Sequence, residues 1–370
     1  MAPSNQAAFL TGRHVPLKIQ ASIYTPPGEN EILVKNGAVA INPFDWAIQG
    51  TPGLLVPWVK LPFILGTDIA GEVVEVGKGV TRFKKGDRVV AYAAASNKTV
   101  NRASEGGFQE YTIVRNNLTS TIPSWMTYEV ASVMPLGLST AACALFQKDF
   151  LALPFPTTSP TPSGKTLLIW GGSTSVGCNA IQLAVAAGYE VISAASPKNH
   201  AYLKSLGATE VYDYRSKTVV SDIVSVFKSR TSAGAVSIGQ GSFKKCIEIL
   251  GSVKGNRFIS MVSFHVPPDT LPKGTLDFPP LMAKVAYLML SGNLKARANG
   301  VTSKFVNGST LMGNEVGKAI YEDFLPRALA EGKFVASPEP HVVGKGLKHV
   351  QEAMYLNKKG VSSKKLVVSL

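Results

Sequence analysis

Apolar and polar positions alternate in short runs through the first third of the chain. "EILVKNGAVAI" (Glu31 to Ile41), "IAGEVVEVG" (Ile69 to Gly77), "DRVVAYAA" (Asp87 to Ala94) and "FQEYTIV" (Phe108 to Val114) carry β-branched and aromatic residues between Gly, Pro and Asn. That pattern predicts a β-rich domain. A helix is expected after Met134-Pro135, through "LSTAACALFQK", followed by "LPFPTTSPTPSGK" (Leu153 to Lys165), whose four prolines and Ser/Thr run read as an exposed connector. Beyond it the rhythm changes. "TLLIWGG" is the continuous apolar run of a strand covered on both faces, and "VGCNAIQLAVAAG" has helical spacing until Gly188 stops it. "EVISAAS", "NHAYLKSLG" and "EVYDY" continue as strand, helix, strand, and "GAVSIG", "SFKKCIEIL" and "NRFISMV" repeat the sequence of elements. The succession predicts a doubly wound parallel sheet with right-handed crossovers, an α/β nucleotide-binding fold. Near the C-terminus two amphipathic helices are expected, at "NEVGKAIYEDFLPRALAEG" and "GLKHVQEAMYLNKKG", before a last strand "KLVVSL".

A chain of 370 residues exceeds what one core usually supports, so two domains are expected. Apolar runs such as "KVAYLML" fall short of the roughly 20 residues that span a bilayer, and the first residues lack the pattern of a secretory signal. No membrane segment is expected, and a cytoplasmic location is the default reading. Cys143, Cys178 and Cys246 stand far apart, as buried small residues do, with no disulfide or CxxC spacing. The net charge of +14 suits phosphate ligands, but its lysine doublets are scattered and lack aromatic interleaving, which argues against nucleic acid.

The candidate chemistry begins at "GGSTSVG". In the frame Gly172, Ser173, Thr174, Ser175, Val176, Gly177, the first and last glycines of a dinucleotide fingerprint are present and Thr174 replaces the middle one. Gly172 permits the tight turn and Gly177 the close packing of helix on strand. Hydroxyls of Ser173, Thr174 and Ser175, with the free N–H groups of the helix start, are the expected phosphate donors. At the end of the second strand "SAASPKN" carries no acid to grip a ribose and repel a 2′-phosphate. Ser196, Lys198 and Tyr214 offer a hydroxyl, a cation and a ring there, and a charge-assisted bond to phosphate contributes about 1.5 to 3 kcal/mol. NADPH is therefore favoured over NADH. The plainer alternative makes Lys198 a solvated helix-start residue and Tyr214 a packed ring.

"INPFD", "GTDIAGEVVEVGKGVTRFKKGDRV", "GGFQEY", "STAACAL", "GGSTSVG" and "GVSSKKLVV" occur in an order that resembles the medium-chain dehydrogenase/reductase superfamily over nearly the whole chain. "ASPEPHVVGKGLKHVQEAM" and "ASPKN" look most like a fungal subgroup of CipB-like oxidoreductases, with trans-acting enoyl reductases and quinone oxidoreductases as neighbours. The resemblance implies a GroES-like β domain from both chain ends, residues 1–138 and 313–370, around a Rossmann domain, residues 139–312. Zinc members place ligands where this chain has Asn42, Thr67-Asp68 and Leu136, so no metal is expected.

Without zinc to hold an alkoxide, reduction of an activated C=C bond or a quinone is less demanding than alcohol oxidation, because the substrate's own carbonyl spreads the charge. The family pattern puts Asn42 and Thr140 beside the nicotinamide; a turn residue and a helix cap are the alternatives. Ile238, Gly239, Val262 and Ser263 are expected at the nicotinamide ribose, and Asp45 as a loop tie. Trp46, Thr67, Tyr92 and Leu136 are candidates for an apolar substrate pocket, the aromatics being equally suited to a core; Trp58 reads as core or lid. His265 is a candidate proton donor. The expected substrate is a small apolar unsaturated molecule, free or on a carrier protein, with an NADPH-dependent ketone or aldehyde reductase and a non-catalytic NADPH-binding protein as the other readings. Monomer and homodimer both stay open.

Overall fold

The computed structural model describes residues 3–263 and 278–370; His265 lies outside them. The chain divides into two units, Met1–Leu136 with Tyr321–Leu370, and Gly137–Ile320.

In the first unit, β1 (Asn5–Leu10) lies between β2 (Lys18–Ser22) and, further along the chain, β4 (Phe63–Ile64), in an antiparallel three-stranded sheet. The long β3 (Glu31–Ala40) organises the larger sheet with β5 (Asp68–Val76), β6 (Arg88–Tyr92), β7 (Tyr111–Arg115) and β8 (Thr119–Thr121). One half of β3 pairs with β7 and the whole of it with β5. A Cβ on Gly71 would come within 2.1 Å of the Lys35 carbonyl, so the β3–β5 ladder can close there only over glycine. β3 and β6 are buried almost throughout. The core on them gathers Ile32, Val34, Val39, Ile69, Val73 and Val89 with Val350, Ala353 and Met354 from near the C-terminus.

The second unit is a six-stranded parallel sheet. Its strands are β9 (Lys165–Trp170), β10 (Glu190–Ala195), β11 (Glu210–Asp213), β12 (Thr231–Ser237), β13 (Phe258–Met261) and β14 (Thr302–Phe305). They lie in the order β11-β10-β9-β12-β13-β14, so the direction of winding reverses beside β9. This is the doubly wound arrangement the sequence predicts. Two helices were not legible, Val219–Phe227 before β12 and Phe278–Ala298 before β14. β14 was missed as well, since "TSKF" is short, polar and hydrogen-bonded only to β13.

The chain returns to the first unit at Tyr321, where β15 (Glu339–Lys345) pairs in parallel with β16 (Lys364–Ser369) and β16 joins β3 at Ala38–Ala40. The helix expected around "NEVGKAIYEDFLPRALAEG" runs unbroken from Glu315 to Ala330, α-helical over Glu315–Lys318, π-helical over Ala319–Phe324 and α-helical again over Leu325–Ala330. The stretch Tyr128–Phe146 is apolar and long enough to cross a bilayer by composition, with a mean hydropathy of 1.5, but 83% of it is buried in the fold as a core helix is.

Candidate active site

In the second unit the phosphate loop joins β9 to the helix Ser175–Ala186. A Cβ on Gly172 would meet Ser193 Oγ at 2.1 Å, and one on Gly177 would meet the Gly171 carbonyl at 2.4 Å, so both fingerprint glycines are demanded by packing. Thr174 is the helix N-cap. Its hydroxyl donates to the Gly171 carbonyl at 2.8 Å and accepts from the Gly177 N–H at 3.0 Å. The hydrogen that sequence reasoning offered to a phosphate is therefore spent inside the loop, and the loop is braced by a side chain where the fingerprint has none. Ser175 and Val176 occupy the first helical turn, where N–H groups have no intrahelical acceptor and face an anion favourably. Ser173 is half-buried beside them.

The other cofactor candidates gather at the carboxyl ends of neighbouring strands. Gly171 N–H donates to the Ala194 carbonyl at the end of β10, and Ile238 N–H to the Trp170 carbonyl at the end of β9. Gly239, with φ +94° and nothing within 4 Å of a Cβ built on it, donates its N–H to Ser263 Oγ at 3.2 Å; Val262 N–H donates to Ser237. Ile238, Gly239, Val262 and Ser263 are thus one constellation beside the point where the strand order reverses, the usual crevice for a nucleotide. Ser196 is half-buried after β10 and Lys198 is exposed in the turn Pro197–Asn199. Tyr214, 44% exposed after β11, lies under the Arg215 guanidinium, which is itself paired with Asp213. Thr140 is buried in the helix Pro135–Phe146, and Gly308 packs so close to it that a Cβ there would be 2.3 Å from its hydroxyl oxygen.

In the first unit Asn42 caps the helix Pro43–Gly50 in a capping box with Asp45, whose carboxylate accepts the Asn42 N–H at 2.7 Å. The Asn42 amide is 3% exposed and fully engaged. Its Nδ2 donates to Thr67 Oγ1 at 3.0 Å and to Asp68 Oδ2 at 2.8 Å, while its Oδ1 accepts from Lys365 Nζ. Asp68, wholly buried, accepts the Leu136 N–H at 2.7 Å through Oδ1, and Lys365 Nζ lies 2.8 Å from its Oδ2. Burial, then the neighbouring Asp68, push the Asp45 carboxyl up to about 7, against the opposing Asn42 N–H and Lys365. Asn42, Thr67 and Leu136 are therefore brought together, with Tyr92 opposite Asp68 in the β5–β6 register. Trp46 turns elsewhere: its indole N–H donates to Asn357 Oδ1 at 2.9 Å, and Lys358 stands over its ring. Trp58 packs on the same core and donates to the Ser96 carbonyl.

The donor set suits an anion and repels a cation. Asn42 presents its NH₂, Leu136 its N–H and Lys365 its ammonium to one carboxylate, so a divalent ion would meet hydrogens on three sides. Among the described residues no group of three or more His, Cys, Asp or Glu is arranged to hold a metal. Sequence reasoning missed Lys365. The available signal was its place at the start of the apolar run "KLVVSL", a strand whose residues Lys365 to Val368 are all buried.

Residues 28–124 match the alcohol dehydrogenase GroES-like domain. The chain is 50% identical over 371 residues to dehydrogenase pigH of Monascus ruber, which covers all of both chains. It is 42% identical to the zinc-binding alcohol dehydrogenase domain-containing protein cipB of Emericella nidulans over 99% of this chain and 98% of that one. It is 39% identical to the trans-enoyl reductase himH of Aspergillus japonicus over 92% and 90%. Among solved structures, the quinone oxidoreductase from Coxiella burnetii superposes with a TM-score of 0.70 at 22% identity over all of both chains, a likeness of fold. The CurK enoyl reductase does so with a TM-score of 0.73 at 18% identity, covering 99% of each. With its GroES-like first unit and Rossmann-type parallel sheet, the chain belongs to the medium-chain dehydrogenase/reductase superfamily, an oxidoreductase family that uses a nicotinamide cofactor, and within it resembles the fungal CipB-like proteins.

Proposed function

We propose that the protein is a zinc-independent, NADPH-dependent reductase of an activated C=C bond, in an enone, enal or enoyl thioester, or of a quinone. The observation that carries this reading is the buried Asn42–Asp68–Lys365 cluster, which offers hydrogen-bond donors around a carboxylate where a metal would need acceptors. Reduction of a conjugated bond suits a site without a metal, since the acceptor carbonyl itself disperses the incoming charge. The likeness to himH, a trans-enoyl reductase, supports the same class.

The nicotinamide nucleotide supplies a hydride, and the substrate takes up a proton in addition. The first turn of the helix Ser175–Ala186 would hold the pyrophosphate, with Ser173 alongside. Ser196, Lys198 and Tyr214 would hold the 2′-phosphate, and Ile238, Gly239, Val262 and Ser263 the nicotinamide ribose. Asn42 acts as a positioning residue, because both of its N–H groups are committed to Thr67 and Asp68; Thr140 is retained as the residue beside the nicotinamide. The substrate is a small apolar unsaturated molecule, and a carrier-protein thioester fits the same reaction and the basic surface.

Stopped-flow loss of NADPH absorbance against a panel of enones, enals, enoyl thioesters and quinones tests the proposal. Turnover of that panel with chelator-washed protein is expected. Turnover of saturated ketones or aldehydes alone would favour the carbonyl-reductase reading. NADPH binding without any turnover would favour a non-catalytic binding protein.

A further inference from the structure

Four segments distant in sequence meet at one buried carboxylate. Asp68 accepts from Leu136 N–H at 2.7 Å, from Asn42 Nδ2 at 2.8 Å and from Lys365 Nζ at 2.8 Å. Lys365 also donates to Asn42 Oδ1, so Asp68, Asn42 and Lys365 close a triangle in which each touches the other two. That closure decides which end of the Asn42 amide is oxygen, and hence that Thr67 Oγ1 faces an N–H rather than a carbonyl. Asp45 hangs on the same Asn42 through the backbone N–H and is 1% exposed, so two buried carboxyls lie near one ammonium. Lys365 is itself only 2% exposed. A buried ion pair is seldom retained for stability, because well-packed apolar residues do as well or better. Such a pair at the centre of a functional cluster asks for another reason.

We propose that Lys365 is a positioning residue of this site: a built-in cation that fixes the Asp68 carboxylate and the orientation of the Asn42 amide, and through them the Thr67 hydroxyl. Its role in turnover rests on the reductase reading above, whereas its grip on the two side chains does not.

The full chain carrying Lys365→Ala tests this, with n-propylammonium chloride as the probe, since that ion replaces the truncated atoms. The variant is expected to melt about 5 °C or more below the wild type, and to regain part of that loss in n-propylammonium but not in 1-propanol or sodium chloride of equal strength. Its kcat with a reactive enone should drop about tenfold or more and recover several-fold with the amine, while the KM for NADPH moves less than about threefold. Failure of the amine to restore either melting temperature or kcat overturns the proposal. Should Lys365→Ala fail to fold, the neutral pair Lys365→Met with Asp68→Asn keeps the shape without charge. Depressed kcat in that folded double variant supports a positioning role, and wild-type kcat there reduces Lys365 to a structural residue and overturns it. Wild-type protein that binds NADPH yet reduces none of the panel would instead refute the reductase reading, and amine recovery of the melting temperature would still decide for or against the cation.

Discussion

The environment of Asp45 changes its chemistry. In an unfolded chain it ionises near its ordinary 3.8, and in the fold near 7, because burial disfavours the charged form. Between those values the folded protein holds a proton that the unfolded chain has lost. Stability contributed by this group is therefore complete at acid pH, declines as pH rises through the window, and is flat above about 7. Asp45→Asn should remove that decline, so the variant gains on the wild type by on the order of 1 kcal/mol per pH unit across the window. Denaturant midpoints near pH 5 and near pH 8 check it, and an equal difference at both would contradict the assignment. In the second unit, Lys198→Ala should raise the KM for NADPH about tenfold while leaving that for NADH within a factor of about two. Equal effects on both cofactors would remove the basis for preferring NADPH. These residues were not equally legible. Lys198 follows directly from a strand end without an acid, but nothing local distinguishes Lys365 from the exposed Lys364 beside it except that it lies one residue further into the buried run of β16.

At the scale of the element, the phosphate loop answers how a fingerprint survives without its middle glycine. Thr174 stands exposed at the N-cap and binds the loop's own backbone on both sides, which fixes the loop at the position where bare backbone would otherwise be mobile. Thr174→Ala should cost about 1 kcal/mol of stability in urea denaturation, and Thr174→Gly only a few tenths. On the proposal that the helix-start N–H groups rather than this hydroxyl hold the phosphate, NADPH binding measured by calorimetry should be retained in both. Loss of binding in Thr174→Ala with the fold intact would return the hydroxyl to the phosphate. Gly177→Ala is the opposite case, since its Cβ would press to 2.4 Å on the Gly171 carbonyl, and both fold and binding should suffer. The π segment within the helix Glu315–Ala330 also has a local cause. Pro326 can give no N–H to the preceding turn, and the chain widens into the π segment just before it.

For the whole molecule, burial is the governing fact about its cysteines. Cys143 is pushed up to about 11 and Cys178 and Cys246 to about 12, in each case by burial. A thiolate is the reactive form, so Ellman's reagent should titrate no thiol in the native protein at neutral pH and all three after denaturation. A fast-reacting native thiol would show that one of these sites opens. The sequence by itself determined the order of most strands and helices, the parallel sheet, the glycines of the phosphate loop, and the lack of thiol and imidazole at the positions of zinc ligands. The elements and the loop glycines are written in periodicity and motif over a few neighbouring residues, whereas the zinc-ligand positions are read from the family resemblance. Only the tertiary structure decided that the Thr174 hydroxyl binds its own loop, that Trp46 is tied to Asn357, and that Asn42, Asp68, Leu136 and Lys365 meet at one carboxylate. Those contacts depend on strand register and on the return of the C-terminal chain beside β3, and a hydrogen bond formed across such a distance leaves no trace in the pattern on either side of it.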